Sequence, residues 1–256
     1  MERNLEIEGL VLFNRDYKEK DKLVKIFTAS RGKKMFYVRN VRRKNSPFLS
    51  AIQPYTKANY VVDLNQEGLS FLSAIKEVTP YKTIQQDIFI SAYATYILNL
   101  VDVAIQDGEP DFALYGFTKE ALIFLDQGVD PEIITNIFEI QLLARFGLTF
   151  NWLECAVCGE THGKFDLSPK YHGVLCENHF SKDEHRYHFD PIAMHFIRLF
   201  SNIKYDQINS ISLKPETKDA IRLILDEIYD EYVGIHLKSK KFITQMKDWE
   251  NMLRKD

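Results

Sequence analysis

The chain has 256 residues, of which 45% are hydrophobic and 27% charged, the composition of an ordinary globular protein of one or two domains. Three cysteines are too few for a disulfide framework, and residues 1–4 lack the pattern of a signal peptide. The longest apolar stretch without a charge, residues 88–101, falls short of the roughly 20 residues that a bilayer requires. We therefore expect a cytoplasmic protein with no membrane partner, in which paired cysteines hold a metal.

Charge is distributed unevenly along the sequence. The chain carries a formal charge of −3, but residues 1–80 contain 15 Lys and Arg against 9 Asp and Glu, a net charge of +6. The remainder therefore carries −9. Between residues 22 and 62 there is no acidic residue and there are ten Lys or Arg. A stretch of one sign is typical of a surface that binds an anionic partner.

The first 80 residues are predicted to form strands. Apolar residues alternate at the start, and Gly32 can provide the positive φ angle of a hairpin turn. The predicted strands are residues 5–12, 23–28, 34–39, 60–62 and, as a strand or a short helix, 71–78. About five short strands in this length predict a small closed barrel of the OB-fold type, with an SH3-like barrel as the alternative.

After Pro80 the pattern becomes helical. Asp130-Pro131-Glu132 is a strong helix start, because it combines a cap, a proline at the first position and an acidic first turn. The other predicted helices are residues 84–105, 118–125, 191–201, 215–232 and 240–254. The predicted class is α+β: an OB-fold nucleic-acid-binding domain at residues 1–80, then an all-α domain at residues 81–256 with a zinc finger at 155–179.

Two close pairs of metal-binding residues interrupt the helices. Cys155 and Cys158 form one pair, Cys176 and His179 form the other, and 17 residues separate the pairs. This spacing predicts a tetrahedral structural Zn²⁺ site, since four protein ligands leave no open coordination position. The fourth ligand is predicted to be His179, but other histidines lie close by in the sequence, namely His172, His185 and His188.

A second candidate site is the basic stretch, in which cationic residues alternate with aromatic ones. Cations can follow the phosphates of a nucleic acid while rings stack on its bases. Alternation along a strand directs either Phe36 or Tyr37 into the core. A solvated surface and a site for an acidic protein partner are the alternatives. The predicted DNA-binding residues are Arg31, Lys33, Lys34, Arg39, Arg42, Arg43 and Lys44.

Several segments together resemble the RecO family. Residues 8–12 (EGLVL), 17–21 (YKEKD) and 38–46 (VRNVRRKNS) resemble its N-terminal blocks, and residues 155–159 (CAVCG) and 173–179 (GVLCENH) resemble its metal-binding loop. Three positions depart from the family pattern: His172 and Asn40 stand where members often have glycine, and His179 stands where a cysteine is expected. Asparagine tolerates a left-handed backbone better than most residues, so the turn at Asn40 can survive the change.

The resemblance implies a recombination mediator in bacterial DNA repair. Such a protein binds single- and double-stranded DNA, anneals complementary strands coated by SSB, contacts the SSB C-terminal tail, and acts with RecR to load RecA at gaps. It breaks no bond, so the resemblance implies neither an enzyme nor a catalytic residue, and it places the protein at the nucleoid. A zinc-containing adaptor that binds RNA or protein is the alternative, and a metal-dependent nuclease is a third.

Overall fold

The computed structural model describes residues 2–43, 46–65, 68–208 and 211–253. The chain divides into two compact units. The first contains residues 1–129 together with residues 237–256, and the second contains residues 130–236. No helix among the described residues has the length and the apolar character needed to cross a membrane.

Five strands of the first unit form a closed barrel in the order β1-β2-β3-β5-β4. Neighbouring strands are antiparallel except for β3 and β5, which are parallel. This arrangement is consistent with the expected OB-fold. Residues 71–78, for which strand and helix were both open, lie in a strand. The strands are β1 (Glu2–Tyr17), β2 (Asp21–Thr28), β3 (Gly32–Val38), β4 (Thr56–Leu64) and β5 (Ser70–Pro80).

The alternation of side chains fills the barrel. Phe36 and Val38 of β3 are fully buried, whereas Tyr37 between them is only partly covered, which confirms that one of the two aromatic residues points inward. Between β3 and β4 lies a short helix, α1 (Phe48–Ala51). The buried Tyr60 hydroxyl donates a hydrogen bond of 2.6 Å to the Ala51 carbonyl, so α1 is attached to the barrel interior.

The left-handed backbone positions in the barrel connections include Gly32 and Asn40. Gly32 has φ +63°, as predicted, and a Cβ atom there would lie 2.2 Å from the carbonyl oxygen of Glu109. Any other residue would therefore displace the segment around Glu109 as well as strain the turn. Asn40 has φ +55°, so the asparagine does adopt the conformation that glycine favours.

Four helices complete the first unit. The predicted helix at residues 84–105 is two helices, because Asp87 has an extended backbone and its side chain accepts hydrogen bonds from the amides of Phe89 and Ile90. Ser239 of the last helix donates a hydrogen bond of 2.8 Å to Asn99. The helices are α2 (Lys82–Gln86), α3 (Ile88–Ala104), α4 (Phe112–Asp126) and α8 (Lys238–Leu253).

The described part of the second unit contains three α-helices, short 3₁₀- and π-helical turns, and a small hairpin. Asp130 caps α5 as predicted, since its carboxylate accepts hydrogen bonds from the amides of Glu132 and Ile133. The rest of the unit is helical as expected, and within the segment predicted as a zinc finger, residues 155–179, β6 and β7 pair as an antiparallel hairpin that the sequence did not indicate. The elements are α5 (Pro131–Leu142), β6 (Phe165–Ser168), β7 (Gly173–Cys176), α6 (Pro191–Phe200) and α7 (Pro215–Ile228).

The predicted domain boundary at residue 80 coincides with the end of β5 at Pro80. The compact unit that contains the barrel nevertheless extends through α4 and includes α8. That residues 1–80 fold as a separate domain therefore stays a prediction.

Candidate metal centre and nucleic-acid surface

The four predicted metal ligands come together in the second unit. One ligand atom from each of Cys155, Cys158, Cys176 and His179 lies within 4.8 Å of all the others. The Cys158 and Cys176 sulfurs are 3.8 Å apart, and His179 Nδ1 lies 3.7 Å from the Cys155 sulfur and 3.2 Å from that of Cys176. The group includes His179 and none of the alternative histidines among the described residues. These four residues could hold a metal ion.

Backbone hydrogen bonds hold the two ligand pairs in place. The Gly159 amide donates to the Cys155 carbonyl at 2.8 Å, which closes the turn of the first pair. The Val174 carbonyl accepts from the Ala156 amide at 2.9 Å, so this turn is joined to strand β7, whose last residue is Cys176. His172 has φ +46°, a left-handed backbone that a glycine would adopt without strain.

The sulfurs affect one another's protonation. Burial on its own raises the pKa of the Cys155 thiol, but hydrogen bonds from the amides of Cys176, Val157 and Cys158 lower that pKa to about 6. Burial and the two neighbouring cysteine side chains raise the pKa of Cys176 to about 11. Neighbouring thiolates repel one another, and a bound cation would offset this repulsion.

Arg198 of α6 supports the metal-binding loop, and the sequence did not indicate it. Its guanidinium donates to the carbonyls of Trp152 at 2.9 Å, Leu153 at 2.8 Å and Thr161 at 3.0 Å. The same group lies 3.5 Å from the centroid of the Phe165 ring. One side chain therefore binds both ends of the loop that carries Cys155 and Cys158.

The predicted DNA-binding residues of the barrel fall into different environments. Lys33 is only 5% exposed, and its ammonium lies 2.9 Å from a carboxylate oxygen of Asp102. Buried and paired in this way, Lys33 is not accessible to a phosphate and does not belong to the proposed DNA surface. Arg31 is partly exposed and forms an ion pair with Glu2 at 2.8 Å, and Lys34 lines the same shallow pocket. Lys44 lies outside the described residues.

The remaining predicted cations lie on an exposed surface that we call the basic rim. The structure adds two lysines of the β1–β2 turn, because the Arg42 amide donates to the Lys20 carbonyl at 3.2 Å and joins that turn to residues 39–43. Arg42 pairs with Asp16 at 3.5 Å, and both side chains are about half exposed. The basic rim consists of Lys18, Lys20, Arg39, Arg42 and Arg43, all exposed.

Aromatic side chains lie next to the basic rim. The Arg39 guanidinium is 5.7 Å from the centroid of the Tyr37 ring and 5.8 Å from that of Phe71. An open cleft of about 450 Å³ borders these residues. Two more aromatic residues follow the basic stretch in the sequence. Phe48 lines the cleft, whereas the hydroxyl of Tyr55 shares a hydrogen bond with the hydroxyl of Thr95. Cations and exposed rings are the groups that bind single-stranded nucleic acid.

Comparison with protein families gives two adjacent matches. Residues 1–81 match the family model described as Recombination protein O N terminal, and residues 85–241 match the one described as Recombination protein O C terminal. The two matches together cover most of the chain.

Individual relatives agree with these matches. The chain is 61% identical over 249 residues to a protein of Enterococcus faecalis named DNA repair protein RecO, covering 97% of this chain and 95% of that protein. It is 50% identical over 252 residues to the protein of that name from Lactococcus lactis subsp. cremoris, covering 98% and 100%. A Streptococcus suis protein of the same name is 47% identical over 254 residues, covering 99% and 96%. The chain therefore belongs to the RecO family of DNA repair proteins.

Proposed function

We propose that this protein is a recombination mediator that binds single- and double-stranded DNA and anneals complementary strands coated by SSB. The proposal includes contact with the SSB C-terminal tail and joint action with RecR in loading RecA at gaps, in the bacterial cytoplasm at the nucleoid. It includes no bond-breaking step, so the protein is not an enzyme and has no catalytic residue. The names of its relatives and the chemistry of the barrel surface support this function.

The observation that carries the proposal is the basic rim on the outside of the barrel. In OB-folds, oligonucleotides bind across the face of strands 2 and 3 and beside the loop between strands 1 and 2. Lys18 and Lys20 lie in that loop here, and Arg39 directly follows β3. Cations at these positions neutralise phosphates without reading base edges, so we expect little sequence preference. Strands held close together in this way then pair through their own bases.

The proposed cofactor is a structural Zn²⁺ held by Cys155, Cys158, Cys176 and His179. A tetrahedral zinc ion places two sulfur ligands about 3.8 Å apart and a sulfur and a nitrogen about 3.5 Å apart, from bond lengths of about 2.3 and 2.0 Å. The separation of 3.8 Å between the Cys158 and Cys176 sulfurs and those of 3.7 and 3.2 Å involving His179 fit this geometry. The ion would hold the hairpin and the loop together and contribute to folding.

Strand annealing tests the proposed function. Complementary oligonucleotides coated with SSB are mixed with the wild type or with the Arg42→Ala/Arg43→Ala variant, and duplex formation is followed by fluorescence. We expect the wild type to accelerate annealing and the variant to lose most of this acceleration, because two cations of the basic rim are absent.

A matched control removes the same charge elsewhere. Lys82 and Lys214 are exposed and lie outside the barrel strands, so Lys82→Ala/Lys214→Ala should anneal like the wild type. No acceleration by a folded wild type would contradict the proposed annealing activity. Tighter binding to RNA than to single-stranded DNA of equal length would favour the adaptor instead.

A further inference from the structure

Three aromatic side chains form a row on the outside of the barrel. The Tyr37 ring centroid lies 5.8 Å from that of Tyr17 and 5.8 Å from that of Phe71, and both contacts are edge-on. The row crosses three strands, because Tyr17 ends β1, Tyr37 lies in β3, and Phe71 is the register partner of Tyr37 in β5. Their neighbours Phe36, Val38 and Leu72 point into the core, so the row points outward.

The central ring is fixed before any ligand binds. The Tyr37 hydroxyl donates a hydrogen bond to the Asp21 carboxylate, which also accepts from the Asn40 amide at 2.8 Å. The rings of Tyr17 and Phe71 also contact the Tyr37 ring, with their planes at 84° and 77° to it. A ring held in this way loses little conformational entropy when a ligand stacks on it.

Cations and an acidic group define where a polyanion can run beside the row. The Lys18 ammonium lies 5.4 Å from the Tyr17 ring centroid, and the Arg39 guanidinium lies near Tyr37 and Phe71. Asp63 of β4, the register partner of Phe71, also lines the cleft, and its carboxylate accepts hydrogen bonds from the Asn4 amide and the Ser73 hydroxyl. Phosphates are attracted to Lys18 and Arg39 and repelled from Asp63, whereas the charge of Asp21 is offset by Lys18 and Arg39 beside it and by its two hydrogen bonds.

We infer that Tyr17, Tyr37 and Phe71 form a stacking platform for unpaired nucleobases, with the phosphates of that strand on the side of Lys18 and Arg39. The inference rests on the proposed DNA binding by the barrel and extends it, because it names the side chains that would distinguish single-stranded from double-stranded DNA. Phosphates are common to single strands and duplexes, whereas the faces of the bases are free only in single strands. The platform therefore gives the barrel its preference for single strands, and the basic rim gives affinity for both forms.

The test compares oligonucleotides that differ only in their bases. Fluorescence anisotropy measures the Kd of the full chain for an oligo-dT and for an abasic oligonucleotide of the same length and phosphate number. Stacking on an aromatic side chain strengthens binding by about five- to 140-fold per base. We expect the wild type to bind the oligo-dT at least about fivefold more tightly than the abasic strand.

Variants assign the difference to the row. Tyr37→Leu and Phe71→Leu should weaken binding to the oligo-dT and leave binding to the abasic strand unchanged. Tyr37→Phe keeps the ring and should keep most of the difference. Phe112→Leu removes an aromatic side chain that is 67% exposed on α4, outside the three strands that carry the row, and should behave like the wild type.

Each outcome decides between the two proposals. If the wild type binds both strands equally well, the platform is refuted while DNA binding by the basic rim stands. If the wild type binds neither strand, the proposed function itself fails. If Tyr37→Leu and Phe71→Leu lose affinity equally for both strands, the rings support the barrel only and the inference is overturned. The comparison of wild-type affinities needs no variant and holds even if a variant does not fold.

Discussion

The lysines and arginines of the basic stretch have two kinds of environment in the barrel: some are paired with carboxylates, and others lie in solvent. Lys25 and Lys33 point from neighbouring strands toward Asp102 and Asp107, whereas Arg39 lies in solvent beside aromatic rings. The sequence could not separate these roles, because the acidic partners follow about 70 or more residues later in the chain. Alternation did predict that Phe36 or Tyr37 is buried, since that requires only the local strand geometry.

The pairing of Asp107 predicts a pH-dependent contribution to stability. Burial on its own raises the pKa of Asp107, but the hydrogen bond and charge of Lys25, with the charge of Lys33, lower that pKa overall. A lowered pKa means that the carboxylate stabilises the fold above its unfolded pKa of about 3.9, and that this contribution is lost as pH falls through the folded pKa. We expect Asp107→Asn to be less stable at pH 7 and to lose less stability below about pH 4.

Urea unfolding between pH 7 and pH 3 would measure this difference. Asp206→Asn changes an exposed carboxylate of the second unit and should follow the wild-type profile. Parallel profiles for the wild type and Asp107→Asn would contradict the prediction.

The buried ion pair between Arg222 and Glu139 allows a second prediction. Glu139 of α5 is fully buried, and Arg222 of α7 donates two hydrogen bonds to its carboxylate, one of them 3.0 Å long. Arg222→Leu would leave this carboxylate without its cation, and we expect a loss of about 3–5 kcal/mol in the free energy of unfolding. The double variant Glu139→Leu/Arg222→Leu should recover most of that loss in urea titrations. If the double variant is no more stable than Arg222→Leu, the cost lies in packing and not in charge.

Among the elements, those with strong end signals were predicted most accurately. Asp130-Pro131-Glu132 predicted the start of α5, and Gly147, with φ +82°, ends the 3₁₀ turn of residues 143–146 that continues this helix. The hairpin of β6 and β7 was missed because its strands have four residues each, and such short strands show no clear periodicity. The spacing of the metal ligands was sufficient to predict which four residues meet. It could not reveal Arg198, whose three carbonyl partners lie 37 to 46 residues away.

The hairpin and the metal-binding loop predict the effect of metal removal. A structural metal contributes free energy to folding, so a chelator should lower the Tm of the metal-loaded protein. Hydrogen exchange should increase first in residues 151–182, which contain the loop, the hairpin and His179. Cys158→Ser, a change at an exposed ligand, should show a lower Tm that the chelator no longer affects. A purified wild type that contains no metal and is indifferent to the chelator would rule out the zinc site.

At the scale of the whole molecule, a net charge of −3 conceals a basic barrel surface. The charge count of residues 1–80 predicted this asymmetry, and the structure adds which cations remain accessible. Lys33 is buried and not accessible, whereas Lys18 and Lys20 are exposed. The position of the basic rim on the barrel depends on how the β1–β2 turn meets residues 39–43, and that contact is not visible in the sequence.

The basic rim predicts the salt dependence of DNA binding. Each phosphate contact contributes a slope of about 0.9 for duplex DNA and about 0.7 for single strands in a plot of log Kd against log salt concentration. Arg42→Ala/Arg43→Ala should therefore reduce the slope by up to about 1.8 for duplexes and about 1.4 for single strands. The exposed pair of Arg42 with Asp16 is too weak to compete with a phosphate. An unchanged slope in both titrations would move the DNA-binding surface elsewhere.

The two compact units are interleaved along the chain, and this has a consequence for biosynthesis. Residues 130–236 form the second unit as one continuous segment, whereas the first unit needs α8, which begins only at Lys238. On the ribosome, the second unit is therefore complete before the first can bring α8 against α3 through Ser239 and Asn99. Until the last residues of the polypeptide have emerged, the side of α3 that α8 covers therefore stays exposed.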